Sequence, residues 1–272
     1  MNRVIKNFLI NKYLKKNKIF KNMYLGQTCY VFGNGVSLKK YDLKNFTNYK
    51  SIICGWLYLH NQISKLDVAA EVYIHPYIFY TFWKNNYLKK YQLNKLLRFM
   101  KYSKRMHLYH PFFTSLANMP PLIFNKKVYY LHHFGLRKPN INFLDISNSF
   151  SFMQDSVMSS LGIAHYMGFK KIYLVGMDYF SNVGGHFYEH GRGWHWLPEM
   201  HDAKINALKQ LKNKIEILLI TPNDYSNNNI FKNINYQKLT DDKEIYKENN
   251  EIIKPQYLDY LNNLDMQYKI YK

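Results

Sequence analysis

Residues 170–178 read Lys-Lys-Ile-Tyr-Leu-Val-Gly-Met-Asp, an apolar run that stops at a glycine and an aspartate. Apolar on consecutive rather than alternate positions, it predicts a strand covered on both faces, the kind found in parallel sheets sandwiched between helices. The segment that follows, residues 181–201, is crowded with His, Tyr and Trp. Open parallel sheets bind ligands beyond the carboxyl ends of their strands, where such a loop would lie. A second junction of this kind sits upstream: the run at 28–32 breaks into Gly33-Asn34-Gly35-Val36-Ser37, small residues whose backbone amides can approach a phosphate. Two such junctions predict an α/β fold that handles a nucleotide.

Further strand-like runs fall at 51–54, 68–74, 127–131 and 215–220. Between them, residues 152–167 place Met153, Val157, Leu161, Ala164 and Met167 close to helical spacing, and Gly168 ends that helix as a C-terminal cap. Residues 203–211 repeat the pattern. Strand and helix in alternation give the expected architecture, a Rossmann-like α/β fold with a mostly parallel sheet, helices on both faces and a small lid region. The lid is placed at about 78–125, which is aromatic and Lys-rich and then broken by Pro111, Pro120 and Pro121, and again at 181–201. The expected division is a basic amphipathic N-terminal segment at 1–24, an α/β catalytic domain at 25–223, and a polar, loosely packed tail at 224–272.

The chain has 38 Lys and Arg against 18 Asp and Glu, a formal charge of +20, which calls for an anionic partner or surroundings. No zinc-finger spacing and no RNA-binding strand motif accompanies the lysines, so nucleic acid is not expected. They are densest in residues 1–21, where Val4, Ile5, Phe8, Leu9, Leu14, Ile19 and Phe20 alternate with Lys6, Lys12, Lys15, Lys16, Lys18 and Lys21. Such a segment either lies on an acidic leaflet or packs its apolar side on the domain. No apolar stretch reaches the roughly 18 residues a spanning helix needs, and the N-terminus lacks a clean signal-peptide core. The expected location is the cytoplasm, with the inner membrane face as a peripheral site. Cys29 and Cys54 lie in or beside apolar runs and read as buried thiols of a reducing compartment.

Gly33-Asn34-Gly35 is neither a Walker A loop nor a full dinucleotide fingerprint, and a glycine pair after a strand also closes many turns that bind nothing. The 181–201 loop is more specific. Imidazoles supply a base near neutral pH, Arg192 can grip an anion, and Trp faces can stack on sugar or base rings. His186, His190, His195 and His201 match no standard zinc spacing and no Cys accompanies them, so no metal is expected. The aromatics would alternatively serve only to close a loop. Asp178 at a strand end and Ser156 at a helix start are ligand candidates, and equally helix caps.

Taken together, Val31-Phe-Gly-Asn-Gly-Val-Ser-Leu38, Val72-Tyr-Ile-His-Pro-Tyr-Ile-Phe79 and Gly168-Phe-Lys-Lys-Ile-Tyr-Leu-Val-Gly-Met-Asp-Tyr-Phe180 resemble the bacterial sialyltransferases of glycosyltransferase family 42. The chain also resembles the wider group that includes the motility-accessory-factor proteins, over about residues 28–223. The resemblance implies a GT-A-like fold that transfers a nine-carbon acidic sugar from its CMP donor, with inversion, without an obligatory metal and with no cofactor beyond that activated sugar. It puts Asn34, Gly35 and Ser37 at the CMP phosphate and sugar, Ser156 at a donor contact, and His75 where the family has a CMP-contacting Asn. Gly55 replaces another such Asn.

The family steadies the departing phosphate with two Tyr hydroxyls. Phe180 occupies the first place, so Tyr179 or Tyr188 substitutes, with His186 the alternative. The base that takes the acceptor proton falls at His201, with His195 in reserve and Glu199 at the strict spacing. Arg192 is assigned to the donor carboxylate or phosphate, and Asp178 to the donor side of the site. The acceptor implied is a cell-surface glycan or glycolipid, as in lipopolysaccharide or capsule synthesis, and the resemblance extends to a homo-oligomer. Two other readings stay open: a Mg²⁺-dependent pyrophosphokinase-like enzyme using the same phosphate loop, and a non-catalytic protein that docks on a membrane surface.

Overall fold

The computed structural model describes residues 10–74, 110–122, 126–133, 138–148, 150–188, 200–225 and 230–258. Its strands are β1 (Thr28–Phe32), β2 (Lys50–Cys54), β3 (Asp67–Tyr73), β4 (Phe112–Ser115), β5 (Val128–Leu131), β6 (Lys171–Val175), β7 (Glu216–Thr221) and β8 (Lys232–Asn235). The chain divides into two compact units, residues 1–25 with 69–169 and residues 26–68 with 170–272, and it passes from one to the other within β3. These units cut across the expected 25–223 domain.

In the second unit the strand order is β2-β1-β6-β7-β8, all parallel, with Cys29 level with Lys50 and Thr28 level with Lys171. β1, β2, β6 and β7 are buried from their second residue on, which is why their sequences are apolar without alternation. Cys29 and Cys54 are buried free thiols, and burial pushes the Cys29 thiol far above its ordinary range. The expected helix at 203–211 forms as Asp202–Lys212.

The expected loose tail is instead part of this unit. β8 pairs with β7, Tyr236 is fully buried and stacks on Tyr41 at 4.4 Å, and Ile252, Ile253 and Tyr257 are buried too. Lys-Asn-Ile-Asn gives no apolar signal because an edge strand is held by its backbone on one side only.

In the first unit β3, β4 and β5 pair in parallel. β4 lies inside the expected lid at 78–125; residues 78–109 and 123–125 of that segment lie outside the described ones. Pro111 reads as a strand breaker, but it stands just before β4, where its missing amide costs nothing, and its carbonyl accepts from the Glu71 amide at 2.9 Å. The helix expected at 152–167 runs Ser156–Tyr166. Its N-cap is Asp155, whose carboxylate accepts from the Met158 amide at 2.7 Å, so Ser156 is the first helical residue rather than the cap. Gly168 follows the C-cap at φ +88°, as a left-handed terminator should.

Residues 10–20 of the basic N-terminal segment pack apolar side chains on the first unit, as one of the two expected placements has it. Leu14 and Phe20 are buried, Phe20 meets Tyr129 edge-on at 4.6 Å, and the Asn17 amide donates to the Tyr130 and Ile146 carbonyls. Among the described residues no helix is long and apolar enough to cross a membrane.

Candidate nucleotide-binding site

The strand order reverses between β1 and β6: from β1 the chain moves to β2 on one side, and β6, β7 and β8 follow on the other. A crevice opens at such a reversal because the loops leaving the two central strands diverge. Here those loops are Gly33-Asn34-Gly35 and Gly176-Met177-Asp178. The ladder continues into them, since the Gly33 amide donates to the Val175 carbonyl and the Gly35 amide to the Gly176 carbonyl, both at 2.8 Å. A Cβ on Gly35 would collide with the Asp178 carboxylate and come within 2.7 Å of the Gly176 carbonyl, so glycine is required by this approach. Gly55, at the end of β2, sits at φ +56° with the Asn34 amide nitrogen 2.6 Å from where its Cβ would be.

Asp178 ties the two loops together. One carboxylate oxygen accepts from the Ser37 amide at 2.6 Å and the other from the Ser37 hydroxyl at 2.5 Å, and the Tyr225 hydroxyl stands at 3.5 Å. Burial pushes the Asp178 carboxyl up to about 6, and the Ser37 hydrogen bonds, Tyr225 and the nearby His186 hold it from rising further. Burial, followed by the charge of Asp178, holds the Tyr225 hydroxyl protonated. Asp178 therefore braces the glycine loop rather than capping a helix, and Ser37, itself fully buried, spends its donors on that brace.

The loop after β6 folds back onto Asn34. Gly35 and His186 form an antiparallel bridge, and the Phe187 amide donates to the Asn34 carbonyl at 2.9 Å. His186 stacks on Tyr188 with centroids 5.1 Å apart, and Trp56 stands 6.4 Å from Tyr188. The Tyr188 carbonyl accepts from Asn249, a residue of the expected tail. Among the described residues the Asn34 side-chain oxygen is buried without a hydrogen-bond partner.

Of the expected site residues, the structure thus brings together Asn34, Gly35, Ser37, Asp178, His186 and Tyr188. Tyr179 follows Asp178 directly, with the Lys204 ammonium 5.5 Å over its ring. Phe180 is buried against Phe231. His201 is exposed at the start of the Asp202–Lys212 helix, where its carbonyl rather than its ring caps, accepting from Lys204 at 2.8 Å. Ser156 belongs to the other unit. His75, His190, Arg192, His195 and Glu199 lie outside the described residues.

Three residues at the site carried no earlier expectation. Trp56 and Tyr225 follow the ends of β2 and β7, and position after a strand was the available signal. His60 is 1% exposed, its ring 5.7 Å from that of Phe187, and burial lowers it to about 3, so it stays neutral. Its Nδ1 accepts from the Gln62 amide at 3.2 Å.

No protein-family model and no functionally described protein matches the chain by sequence. Among solved structures it is similar to the sialyltransferase CstII from Campylobacter jejuni in complex with cytidine-5'-monophosphate, at 17% identity and a TM-score of 0.48, over 89% of this chain and 99% of that one. It is also similar to CST-II in complex with a trisaccharide acceptor and CMP, at 17% identity and TM-score 0.46, over 88% and 99%. A third is the MAf glycosyltransferase from Magnetospirillum magneticum AMB-1, at 9% identity and TM-score 0.44, where 93% of this chain covers 42% of the other.

Proposed function

We propose that the chain is an inverting, metal-independent glycosyltransferase that moves a sialic acid or related nonulosonate from a CMP donor to a cell-surface glycan or glycolipid. The observation that carries this reading is the glycine loop at the reversal of strand order, held shut against Asp178 and walled by His186, Tyr188 and Trp56. It favours a nucleotide ligand on physical grounds, and the motif resemblance supplies the donor class.

The chemistry is a single displacement. The acceptor hydroxyl oxygen attacks the anomeric carbon while the bond from that carbon to the CMP phosphate oxygen breaks, and the bonding pair leaves with CMP. His201 takes the acceptor proton, and Tyr179, Tyr188 or His186 donates to the departing phosphate. His75 and Ser156 serve the donor, and Arg192 holds its carboxylate or phosphate. No metal enters the scheme, and the only cosubstrate is the activated sugar. Most of the acceleration comes from orientation of donor and acceptor and from stabilising the leaving group.

Calorimetric titration with CMP, and separately with ATP plus Mg²⁺, tests the reading. Saturable CMP binding that survives EDTA and weakens at least tenfold in Asn34→Ala is expected, with transfer from a CMP-nonulosonate abolished in His201→Ala. Mg²⁺-dependent ATP binding with no response to CMP would replace it with a pyrophosphokinase-like activity. Absence of any nucleotide binding would remove the enzymatic reading altogether.

A further inference from the structure

The positive charge is not shared evenly between the two units. Residues 1–25 and 69–169 hold 19 of the 38 Lys and Arg and only three of the 18 carboxylates, so this unit carries +16 of the +20. Its three carboxylates are all turned to internal duties: Glu71 is buried, Asp145 accepts from the Ser147 amide and hydroxyl, and Asp155 caps a helix. No acidic residue precedes Asp42 in the sequence.

Within this unit the segment 12–25 presents a particular surface. Lys12, Lys15, Lys18 and Lys21 are exposed, and so are three large apolar side chains, Ile19 at 58%, Met23 at 45% and Leu25 at 65%. Their backbone is fixed. The Asn22 amide donates to the Tyr166 carbonyl at 3.0 Å and the Tyr24 amide to the Met167 carbonyl at 2.8 Å, while Tyr24 stacks on Phe169 at 4.9 Å. Gly168 lets this loop approach; a Cβ there would come within 3.0 Å of the Leu25 Cα and 3.1 Å of the Asn22 Cα. Tyr24 is thus an anchor, and its neighbours Met23 and Leu25 are held outward on a loop already ordered.

We propose that this segment is a docking surface for an anionic lipid bilayer, with Ile19, Met23 and Leu25 as the inserting side chains and Lys12, Lys15, Lys18 and Lys21 as the ring that meets lipid phosphates. The combination selects the partner. Exposed apolar side chains ringed by lysine gain both from leaving water and from the negative surface potential of the leaflet, whereas a nucleic acid backbone uses the charge and leaves the apolar side chains in water. The inserting residues are not those on the segment's inner side: Leu14 and Phe20 are committed to the fold, and Lys16 is committed to the Lys126 and Val128 carbonyls.

The test is co-flotation of the full chain with vesicles of phosphatidylcholine and with vesicles in which roughly a third of the lipid is phosphatidylglycerol. Binding to the anionic vesicles alone is expected. It should weaken about tenfold or more both in Ile19→Ser/Met23→Ser/Leu25→Ser and in Lys15→Glu/Lys18→Glu/Lys21→Glu. These positions are exposed, so the variants should fold at least as stably as the unaltered protein, and CMP binding, to which none of these side chains is assigned, should not change. Failure to float with anionic vesicles, or flotation unaffected by the serine variant, overturns the proposal. So does binding to a short DNA duplex that the lysine variant abolishes and the serine variant leaves intact, if vesicle binding behaves identically.

Discussion

At the scale of single residues, the proposed site depends on a carboxylate that serves a loop. Because the Ser37 bonds lower the Asp178 carboxyl from where burial alone would put it, Ser37→Ala should move its titration midpoint upward from about 6 and cost about 1 to 2 kcal/mol of stability at neutral pH. Carbon NMR of the Asp178 carboxyl against pH, with urea unfolding alongside, would show both; an unmoved midpoint would mean the hydroxyl does not bond the charged form. His60 titrates with the opposite consequence. Its folded value lies near 3 against an ordinary 6.5, so below the ordinary value the unfolded chain binds the proton and the folded chain does not. The stability His60 contributes is therefore present above pH 6.5 and lost as pH falls toward 3, by about 2 kcal/mol between pH 7 and pH 5. His60→Phe removes this term, so its unfolding free energy should fall less than that of the unaltered protein over the same interval; equal losses would show that the ring is already charged in the fold.

At the scale of elements, the Ser156–Tyr166 helix begins where a side chain satisfies its first amides. Asp155→Ala should cost about 1 kcal/mol, read as a lower urea midpoint at unchanged slope, because it leaves the Met158 amide without its carboxylate. The start of this helix also marks the limit of what could be read in advance. Apolar spacing located the helix and Gly168 located its end, but the cap lies three residues inside the expected start, since Phe152 is apolar for reasons of packing and not of helix. Strands with continuous apolar runs, β1 and β6 above all, were legible to the residue. β8 was not, because two Asn, a Lys and an Ile announce nothing about a backbone that completes β7. β4 was hidden by Pro111, which still offers the carbonyl that pairs with Glu71. The same distinction holds at the site. Gly33-Asn34-Gly35 and Asp178 were visible as strand-end residues, while the brace between Asp178 and Ser37 is a contact between residues 141 positions apart in the chain, and no local pattern encodes it. Trp56, His60 and Tyr225 reach the site in the same way.

At the scale of the whole molecule, the chain carries far more cations than it can pair. Its 18 carboxylates cannot partner even half of the 38 Lys and Arg, and the three in the first unit leave that unit almost without counter-charge. Among the described residues, the ion pairs of Lys40 with Asp224 at 2.6 Å, Lys44 with Asp42 at 3.0 Å, Lys50 with Asp67 at 2.7 Å and Lys171 with Glu216 at 3.3 Å lie in the second unit, each with at least one exposed partner. Each such pair is worth about 0 to 1 kcal/mol. Repulsion among the lysines should therefore outweigh attraction, and screening it should stabilise the fold. Raising NaCl from about 10 mM to about 150 mM shortens the screening length from roughly 30 Å to roughly 8 Å. The first unfolding transition is expected to rise by about 2 to 4 °C for each kcal/mol of repulsion removed, and the gain should persist in the Lys15→Glu/Lys18→Glu/Lys21→Glu variant at reduced size. A transition that falls with salt would show that ion pairs dominate. A variant with the full salt response would place the repulsion elsewhere than in the N-terminal segment, and with it the main source of the field on which the proposed docking relies.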